Sequence, residues 1–575
     1  MTPAGRSTPT LPHAAPTIGG WTASEQPGRR RSGSWSWPFG MVAVLASGTL
    51  LLGEGVYTAT IPQQITLRCT SLALLTFGGL VLVGSRRNRS LGLGTMHAGS
   101  WYLLWFGMSF GFSSLAWQTP QSDSSAHIAQ ESVLLSLLFL HAALVAWVLG
   151  YLVGPTRLVA CLGQRIGGGV VRDGEGRVRG AGPPWILFGI SLLGRLAQLA
   201  GGRFGYVGDP SQLLTNPTST GQIVNIMVQC GNFALIVAAI AFVQRRTTAT
   251  RTTLIVLTTA QVLVGGLAGG KQYFILTVLA PAMILAVHGR FPRKSVLVAI
   301  AVFAVGFAPF IQAYRENSRN ADRTLTPASA FAQAPAVLEN TLAQDTSSRF
   351  GDTLDLMSRR TRQIDSYAAV VQTTPAQFSY LPLSNYLYAP VLGLVPRAIW
   401  PSKPVISSGA DFARTHFGAS TGVYTSAAIP PTVDLHRHGG LLVMLTGMFL
   451  IGVAVRLLDR ALHPGRDLRL AVFYFPLFVQ FVKGEADITS LIAGLPATLL
   501  AAFLVYRFAF VRTDAAASGG NASGPGCVTV PARAPGRPNL ESRHDRRAAG
   551  LLTQNIPRQR QPALEADTST PLHDS

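Results

Sequence analysis

The segment TVDLHRHGG, residues 432–440, places three chemically versatile side chains close together. Asp434, His436 and His438 alternate, so in an extended segment all three would point to one face. Carboxylate and imidazole groups can hold a metal ion or remove a proton from a hydroxyl group. No fourth ligand or second carboxylate accompanies them. The pattern therefore favours a general base or a substrate hydrogen bond over a metal site, and a polar turn that caps the next helix is the structural alternative.

The string LVPRAIWPSKP, residues 394–404, places two cations in a restricted backbone. Its prolines fix φ and limit the residues before them, which leaves Arg397 and Lys403 few conformations. An arginine fork can bind two phosphate oxygens and a lysine supplies a point charge, so the pair suits a diphosphate. Anchoring at the lipid headgroups through Trp400 is the alternative.

Two further charges lie within apolar sequence. Glu54 and Arg195 are candidates for function, because charges inside a membrane are costly and usually face a cavity.

The stretch GGLAGGKQ, residues 265–272, has the spacing of a phosphate-binding loop. Gln272 stands where a Ser or Thr would hold magnesium, and no strand precedes it, so a nucleotide site is not expected.

The elements that position these residues are predicted to be membrane helices. The 575 residues are 48% hydrophobic and only 13% charged, about half the charge of a typical soluble domain. The net charge of +21 is expected to mark cytoplasmic loops, and no nucleic-acid partner is expected. The four cysteines lack the spacing of a disulfide framework or a zinc site.

Apolar stretches predict an all-α, polytopic integral membrane helix bundle with about twelve transmembrane helices and one large extracytoplasmic loop. A span needs about 20 apolar residues. The predicted spans are 39–58, 69–84, 99–117, 131–154, 184–204, 221–243, 252–269, 273–289, 295–313, 440–457, 469–484 and 489–510.

Basic residues predict the orientation. Arginine and lysine cluster in alternate short loops, as expected for a multi-pass protein of the plasma membrane with both termini in the cytoplasm. The ninth and tenth spans are separated by the long outer segment. Its piece 381–396 is apolar but too short to cross, which predicts an interfacial or re-entrant helix. The predicted regions are an arm (1–38), spans one to nine (39–313), the outer loop (314–439), spans ten to twelve (440–510) and a tail (511–575).

The two ends have the composition of disordered segments. Residues 1–38 are rich in Pro, Gly, Ser and Thr, and residues from about 513 onward are rich in Ala, Gly, Ser, Pro and Arg. The apolar run that follows the N-terminal arm is longer than that of a cleaved signal peptide. The first span is therefore expected to be a retained signal anchor.

The outer loop resembles that of the Wzy-type O-antigen polymerases, the oligosaccharide repeat-unit polymerase family. The similar elements are RTRQIDSYAAVVQTTP (360–375), YLYAPVLGL (386–394) and PRAIWPSKP (396–404), followed by a Gly-Gly entry into the next span at Gly439 and Gly440. The resemblance covers about 80 residues closely. The family often has an Asn-Phe-Gly type approach to that helix, where this chain has His436, Arg437 and His438.

The resemblance implies a glycosyltransferase that joins polyprenyl-diphosphate-linked repeat units into a surface polysaccharide or exopolysaccharide on the outer membrane face. Cations would stabilise the leaving diphosphate, and a base would accept the proton of the acceptor hydroxyl. The expected substrate-binding residues are Arg362, Arg397 and Lys403, followed by Arg349 and Arg195. The candidate bases are His436, His438, Asp434 and Asp411.

This scheme requires no metal and no cofactor. The implied partners are the lipid-linked oligosaccharide, the lipid bilayer, a flippase and a chain-length regulator. Two other classes stay open, a transporter or lipid-linked oligosaccharide flippase and a non-enzymatic assembly protein. Against a transporter stand the missing internal repeat and the sequence SRRNRSLGL between spans two and three, which lacks a Gly-x-x-x-Asp-Arg pattern.

Overall fold

The computed structural model describes most of the chain between residues 36 and 511, all within one compact unit, Met1–Ala515. The described residues are 36–57, 60–88, 96–117, 127–155, 157, 159, 161–163, 165, 176–201, 204, 221–268, 271–288, 293–303, 335–336, 339, 361–397, 399–403, 408–419 and 427–511. The predicted terminal disorder falls largely on residues outside these ranges.

The described chain is helical almost throughout, which confirms the all-α prediction. Its helices are α1 Ser36–Tyr57, α2 Ile61–Asn88, α3 Ala98–Phe106, α4 Gln130–Val153, α5 Gly182–Ala200, α6 Gly221–Arg245, α7 Thr248–Leu267, α8 Lys271–Val287, α9 Arg293–Val302, α10 Ile364–Thr373, α11 Ser384–Leu394, α12 Ser408–Phe417, α13 Pro431–Ala461, α14 Ala471–Val482 and α15 Ile488–Ala509. A π-helical segment, Gly107–Phe112, and a 3-10 turn, Ser113–Ala116, continue α3, and a second 3-10 turn, Leu468–Leu470, precedes α14.

Several helices are suited to a bilayer. Within the described ranges, five helical segments are long and apolar enough to cross: Ile61–Gly84, Gln130–Val153, Gly221–Arg245, Pro431–Ala461 and Ile488–Ala509. Three shorter segments, Pro38–Glu54, Phe274–Val287 and Leu468–Val482, are also apolar. Every predicted span overlaps helical residues, but the count of twelve stays a prediction.

Helices α4 and α13 form a close central pair. A β-carbon on Gly150 would lie 2.0 Å from the Phe449 carbonyl oxygen, and one on Gly452 would lie 2.2 Å from the Trp147 carbonyl oxygen. Any larger residue at these two positions would force the helices apart. This contact fixes the course of α13, which carries the histidines.

Helix α13 is broken about two turns from its buried N-terminal end. Gly439 is extended and Gly440 has φ of +67°, a conformation that favours glycine. A β-carbon on Gly440 would also lie 2.8 Å from the Tyr380 hydroxyl oxygen. At the break, the Arg437 carbonyl accepts a hydrogen bond from the Leu381 N–H. Residues 431–438 therefore form a separate helical cap, held against the segment before α11.

At one end of the bundle, a buried carboxylate links several helices. Asp459 of α13 accepts hydrogen bonds from the N–H groups of Ala98 and Gly99 and from the hydroxyls of Tyr151 and Tyr474, at 2.7–3.1 Å. The carboxylate caps the N-terminus of α3, where the helix dipole favours a negative charge. It thereby ties together α3, α4, α13 and α14.

The same end carries a small antiparallel sheet. Strand β1, Arg177–Val178, pairs with β2, Phe510–Val511, which directly follows α15. The Arg245 guanidinium at the end of α6 donates a hydrogen bond of 2.6 Å to the Val178 carbonyl. The chain before α5 is thus attached to the ends of α6 and α15.

At the opposite end, Glu54 has a partner. Arg68 Nε donates to both carboxylate oxygens of Glu54, at 2.8 and 3.0 Å, and Arg68 Nη1 donates to the Leu134 carbonyl at 2.6 Å. This part-buried ion pair links α1, α2 and α4. Its contacts give Glu54 a structural role.

Candidate functional site

A cavity of about 530 Å³ lies beside the cap of α13, and almost all of its wall comes from the predicted outer loop. The wall combines polar and apolar side chains. Its polar members include Asp411, Thr415, His416, Asp434, Arg437 and His438, and its apolar members include Phe378, Leu381, Tyr388, Val391, Leu392 and Trp400. Such a mixture suits a ligand with an apolar and a polar part.

Asp434 and His438 are neighbours on one face of the helical cap. Both side chains are buried, and the His438 Nδ1 lies 3.5 Å from the nearer Asp434 carboxylate oxygen. The other carboxylate oxygen accepts hydrogen bonds from the Ile488 N–H at 3.0 Å and the Tyr386 hydroxyl at 3.2 Å. Burial, with a smaller effect of Asp434, raises the pKa of Tyr386, which keeps its hydroxyl protonated.

The contacts of His438 Nδ1 favour one position for the ring proton. Nδ1 lies 2.8 Å from the Asp434 backbone carbonyl, which can only accept a hydrogen bond, and 2.8 Å from the Tyr386 hydroxyl, which can accept one while it donates to the Asp434 carboxylate. We therefore assign the proton to Nδ1, and Nε2 keeps its lone pair. Nε2 is buried and has no hydrogen-bond partner within the described structure. In this tautomer, Nε2 is the ring nitrogen that can accept a hydrogen bond from a ligand.

Arg437 supplies a positive charge to the same cavity. Its guanidinium carbon lies 5.4 Å from the centre of the Phe412 ring, and its buried Nη1 lacks a hydrogen-bond partner in the described part of the chain. A buried guanidinium donor without a partner is costly. An anion in the cavity would satisfy it.

His416 of α12 is a second imidazole in the wall. Its Nδ1 lies 2.8 Å from the Thr373 hydroxyl, which itself donates to the Ala369 carbonyl. The Thr373 oxygen therefore accepts the His416 Nδ1–H. Burial and the charge of Arg437 lower the pKa of His416 to about 4, so the ring is neutral at pH 7. It is a weaker base than an unperturbed histidine and suits a hydrogen bond to a ligand hydroxyl.

His436 points away from the cavity, contrary to the expectation for an extended segment. Because residues 431–438 are helical, positions four apart share a face and position 436 faces another direction. The His436 ring contacts Phe139, and its Nδ1 lies 3.1 Å from the Tyr367 hydroxyl, which donates to the Met444 sulfur. His436 therefore packs between α4 and α10.

Arg362 is also placed differently from the sequence-based expectation. It is buried and forms an ion pair with Asp365 at 2.8 Å, and its Nη1 donates to the Ala116 carbonyl. Burial raises the pKa of Asp365, although the Arg362 charge opposes this. The pair attaches α10 to the end of the α3 segment. Arg362 does not line the cavity.

Arg397 and Lys403 stabilise the turn that contains them. The Arg397 Nη1 donates to the Lys403 carbonyl, and the Lys403 ammonium donates to the Val395 carbonyl at 3.1 Å. Burial and the charge of Arg397 lower the pKa of Lys403. Neither residue lines the cavity, whereas Trp400 between them does. These cations therefore position Trp400, and diphosphate binding by them stays a prediction.

Asp411 and Arg349 complete the outer-loop candidates. Asp411 lines the cavity, but its side chain is 62% exposed and lies 3.6 Å from Arg414. Its carboxylate is therefore open to solvent and to Arg414 as well as to the cavity. Arg349 lies outside the described residues.

Arg195 contributes to a second cavity of about 410 Å³. Its guanidinium is buried in α5 and its Nη2 donates to the side-chain oxygen of Gln261 in α7, at 3.4 Å. This places Arg195 apart from the residues of the outer-loop cavity. The prediction that Arg195 faces a polar space is consistent with this arrangement.

Tyr386, His416 and Arg437 were not among the site residues predicted from the sequence. The i to i+4 spacing of Asp434 and His438, with Pro431 at the helix start, was a local signal for a helix. Nothing local connects His416 with Thr373, which is 43 residues away. Among the described residues, no group of three or more His, Cys, Asp or Glu is arranged to hold a metal ion.

Comparison with known proteins finds a match to one protein family. Residues 212–494 match a family described as a domain of unknown function, DUF8712. The match includes every residue that lines the two cavities except Arg195, Gln198 and Thr498. No curated protein and no solved structure matches the chain.

Proposed function

We propose that the protein is a membrane glycosyltransferase that joins polyprenyl-diphosphate-linked oligosaccharide units into a surface polysaccharide. The observation that carries the proposal is the cavity beside the α13 cap, whose wall includes both His438 and Arg437, each with a buried side-chain nitrogen that has no hydrogen-bond partner in the described structure. The resemblance of the outer loop to repeat-unit polymerases supplies the substrate class.

The proposed reaction uses these groups in complementary roles. His438 Nε2 removes the proton of an acceptor sugar hydroxyl, whose oxygen attacks the anomeric carbon of the donor. The bond between that carbon and the diphosphate oxygen breaks, and Arg437 stabilises the charge on the leaving polyprenyl diphosphate. Asp434 lies close enough to stabilise the imidazolium formed, and Tyr386 holds Asp434 in place.

An apolar surface beside the cavity supports a lipid-linked substrate. On and around α11, Leu387 is 78% exposed and Tyr388 is 65% exposed, with Val391 and Leu394 also exposed. Tyr388 and Val391 reach the cavity wall. A polyprenyl chain could lie along this surface while its diphosphate occupies the cavity.

We also propose the topology of about twelve spans with both termini cytoplasmic and the loop 314–439 outside. Contacts at the helix ends support successive helices that cross the membrane in alternating directions. The Asp459 contacts and the β1–β2 pair join segments that are all predicted on the inner side, whereas the Glu54–Arg68 pair and the α13 cap join segments predicted on the outer side. The cavity would then face the outer membrane surface.

A lipid-linked oligosaccharide flippase is the second candidate. The cavity that contains Arg195 favours it, because a polar cavity between apolar helices could hold a transported anion. A flippase does not need a base poised beside a buried cation.

Deletion of the protein should leave single repeat units on their polyprenyl carrier at the outer face and abolish long glycan. Mass spectrometry of extracted lipids would identify the carrier-linked units, and gel electrophoresis would show the glycan length. The wild-type gene expressed from a plasmid is the control. Loss of lipid-linked units from the outer face, with chain growth intact when units are supplied from outside, would reject the proposal in favour of a flippase.

A further inference from the structure

The second cavity has the composition of an anion site. It is bordered by α5, α6, α8, α14 and α15, and two cations, Arg195 and Lys483, line it. None of the described side chains in its wall is acidic. Carboxamide and hydroxyl groups complete the polar part of the wall: Gln198, Asn225, Gln229, Asn232, Gln480, Ser490 and Thr498.

Two contacts show that this wall is held in place. Gln261, buried behind the wall, accepts a hydrogen bond from Arg195 Nη2 and so orients the guanidinium. The Gln480 amide nitrogen donates to the Thr498 hydroxyl at 3.2 Å, while its buried amide oxygen has no partner in the described structure. That oxygen requires a donor, which a ligand hydroxyl would supply.

The two cavities lie on either side of one helix start. Thr489 lines the cavity beside the α13 cap, and the next residue, Ser490, lines the second cavity. A hydrogen bond from Gln222 of α6 to the Gly393 carbonyl of α11 also links their surroundings. Both cavities therefore belong to the same half of the bundle.

We propose that the second cavity binds the diphosphate head of the acceptor, a second lipid-linked substrate. This inference rests on the proposed function. When a chain is transferred between two carriers, one diphosphate leaves and the other is retained, so the enzyme must hold two anionic groups at once. Arg437 serves the leaving diphosphate, and Arg195 with Lys483 serves the retained one. The neighbouring carboxamides bind hydroxyls of the adjacent sugar.

Binding stoichiometry tests this assignment with the full-length protein in nanodiscs of phosphatidylcholine, which has no net charge. Farnesyl diphosphate, titrated by calorimetry, should bind at two sites per chain. Arg195→Gln should lose one site, and Arg437→Gln should lose the other. Lys483→Gln should weaken the Arg195 site by about tenfold or more. Arg507→Gln removes an equal charge from the far end of α15 and should keep both sites.

The binding results distinguish failure of the proposed second site from failure of the proposed function. A single site that survives Arg195→Gln and is lost in Arg437→Gln would overturn the second site and leave the proposed function intact. Two sites that both survive Arg437→Gln would instead contradict the proposed function. Farnesol that binds as tightly as farnesyl diphosphate would overturn the proposal that the cavity is an anion site. Equal binding of inorganic diphosphate at the Arg195 site would overturn the lipid-linked ligand. Size-exclusion profiles like that of the wild type, with Arg195→Lys as a charge-retaining variant, control for folding.

Discussion

Replacing His438 with glutamine should lower the rate of glycan chain growth per molecule of protein by about 10²- to 10⁴-fold, the usual contribution of general base catalysis. Glutamine has a similar length and can still accept a hydrogen bond, but it cannot accept the proton of the acceptor hydroxyl. Chain growth would be measured in membranes that contain equal amounts of each variant.

His436 provides the matched control for this substitution. It lies on the same helical turn and is also buried, but it contacts Phe139 and Tyr367 outside the cavity. His436→Gln should change the amount of folded protein more than the rate per molecule. A His438→Gln rate within about threefold of wild type would contradict the assignment of the base.

Replacing Arg437 with glutamine should reduce chain growth by about 30- to 1000-fold. The loss corresponds to about 2–4 kcal/mol for one charge-assisted contact that strengthens as the diphosphate leaves. Arg437→Lys should restore only part of the rate, because lysine keeps the charge and lacks the fork that can bind two oxygens. The measurement is the initial rate at saturating lipid-linked substrate.

The control for Arg437 is Arg414→Gln. Arg414 lies in α12, pairs with Asp411 and does not line the cavity, so its loss removes one nearby charge without changing the wall. Similar losses of rate in both variants would indicate a general electrostatic effect and would remove Arg437 from the site.

The helical fold was predictable because its signals are local. The apolar runs in α2, α4, α6 and α15 can be recognised as candidate membrane spans from their length and composition alone. The buried ion pair of Arg68 with Glu54 was not evident in the same way, since its partners belong to different helices. Helix existence thus followed from sequence, whereas helix contacts did not.

The site was predictable only in part, and the reasons are geometric. The predicted outer loop does form a cavity, and Asp434 and His438 line it. The expected shared face with His436 was wrong because the segment is helical. The rigid turn around Arg397 is present, but backbone carbonyls within the turn accept hydrogen bonds from its cations. Such contacts depend on backbone geometry that the residue types do not specify.

The most direct test of the proposed function is chain growth by the purified protein in lipid vesicles. Lipid-linked single repeat units, extracted from cells that lack the protein, would be added to the outer leaflet and the products separated by mass. We expect carrier-linked chains of two or more units and one released polyprenyl diphosphate for each new bond. Transfer of unchanged single units across the bilayer, without chain growth, would reject the proposed glycosyltransferase and identify a flippase.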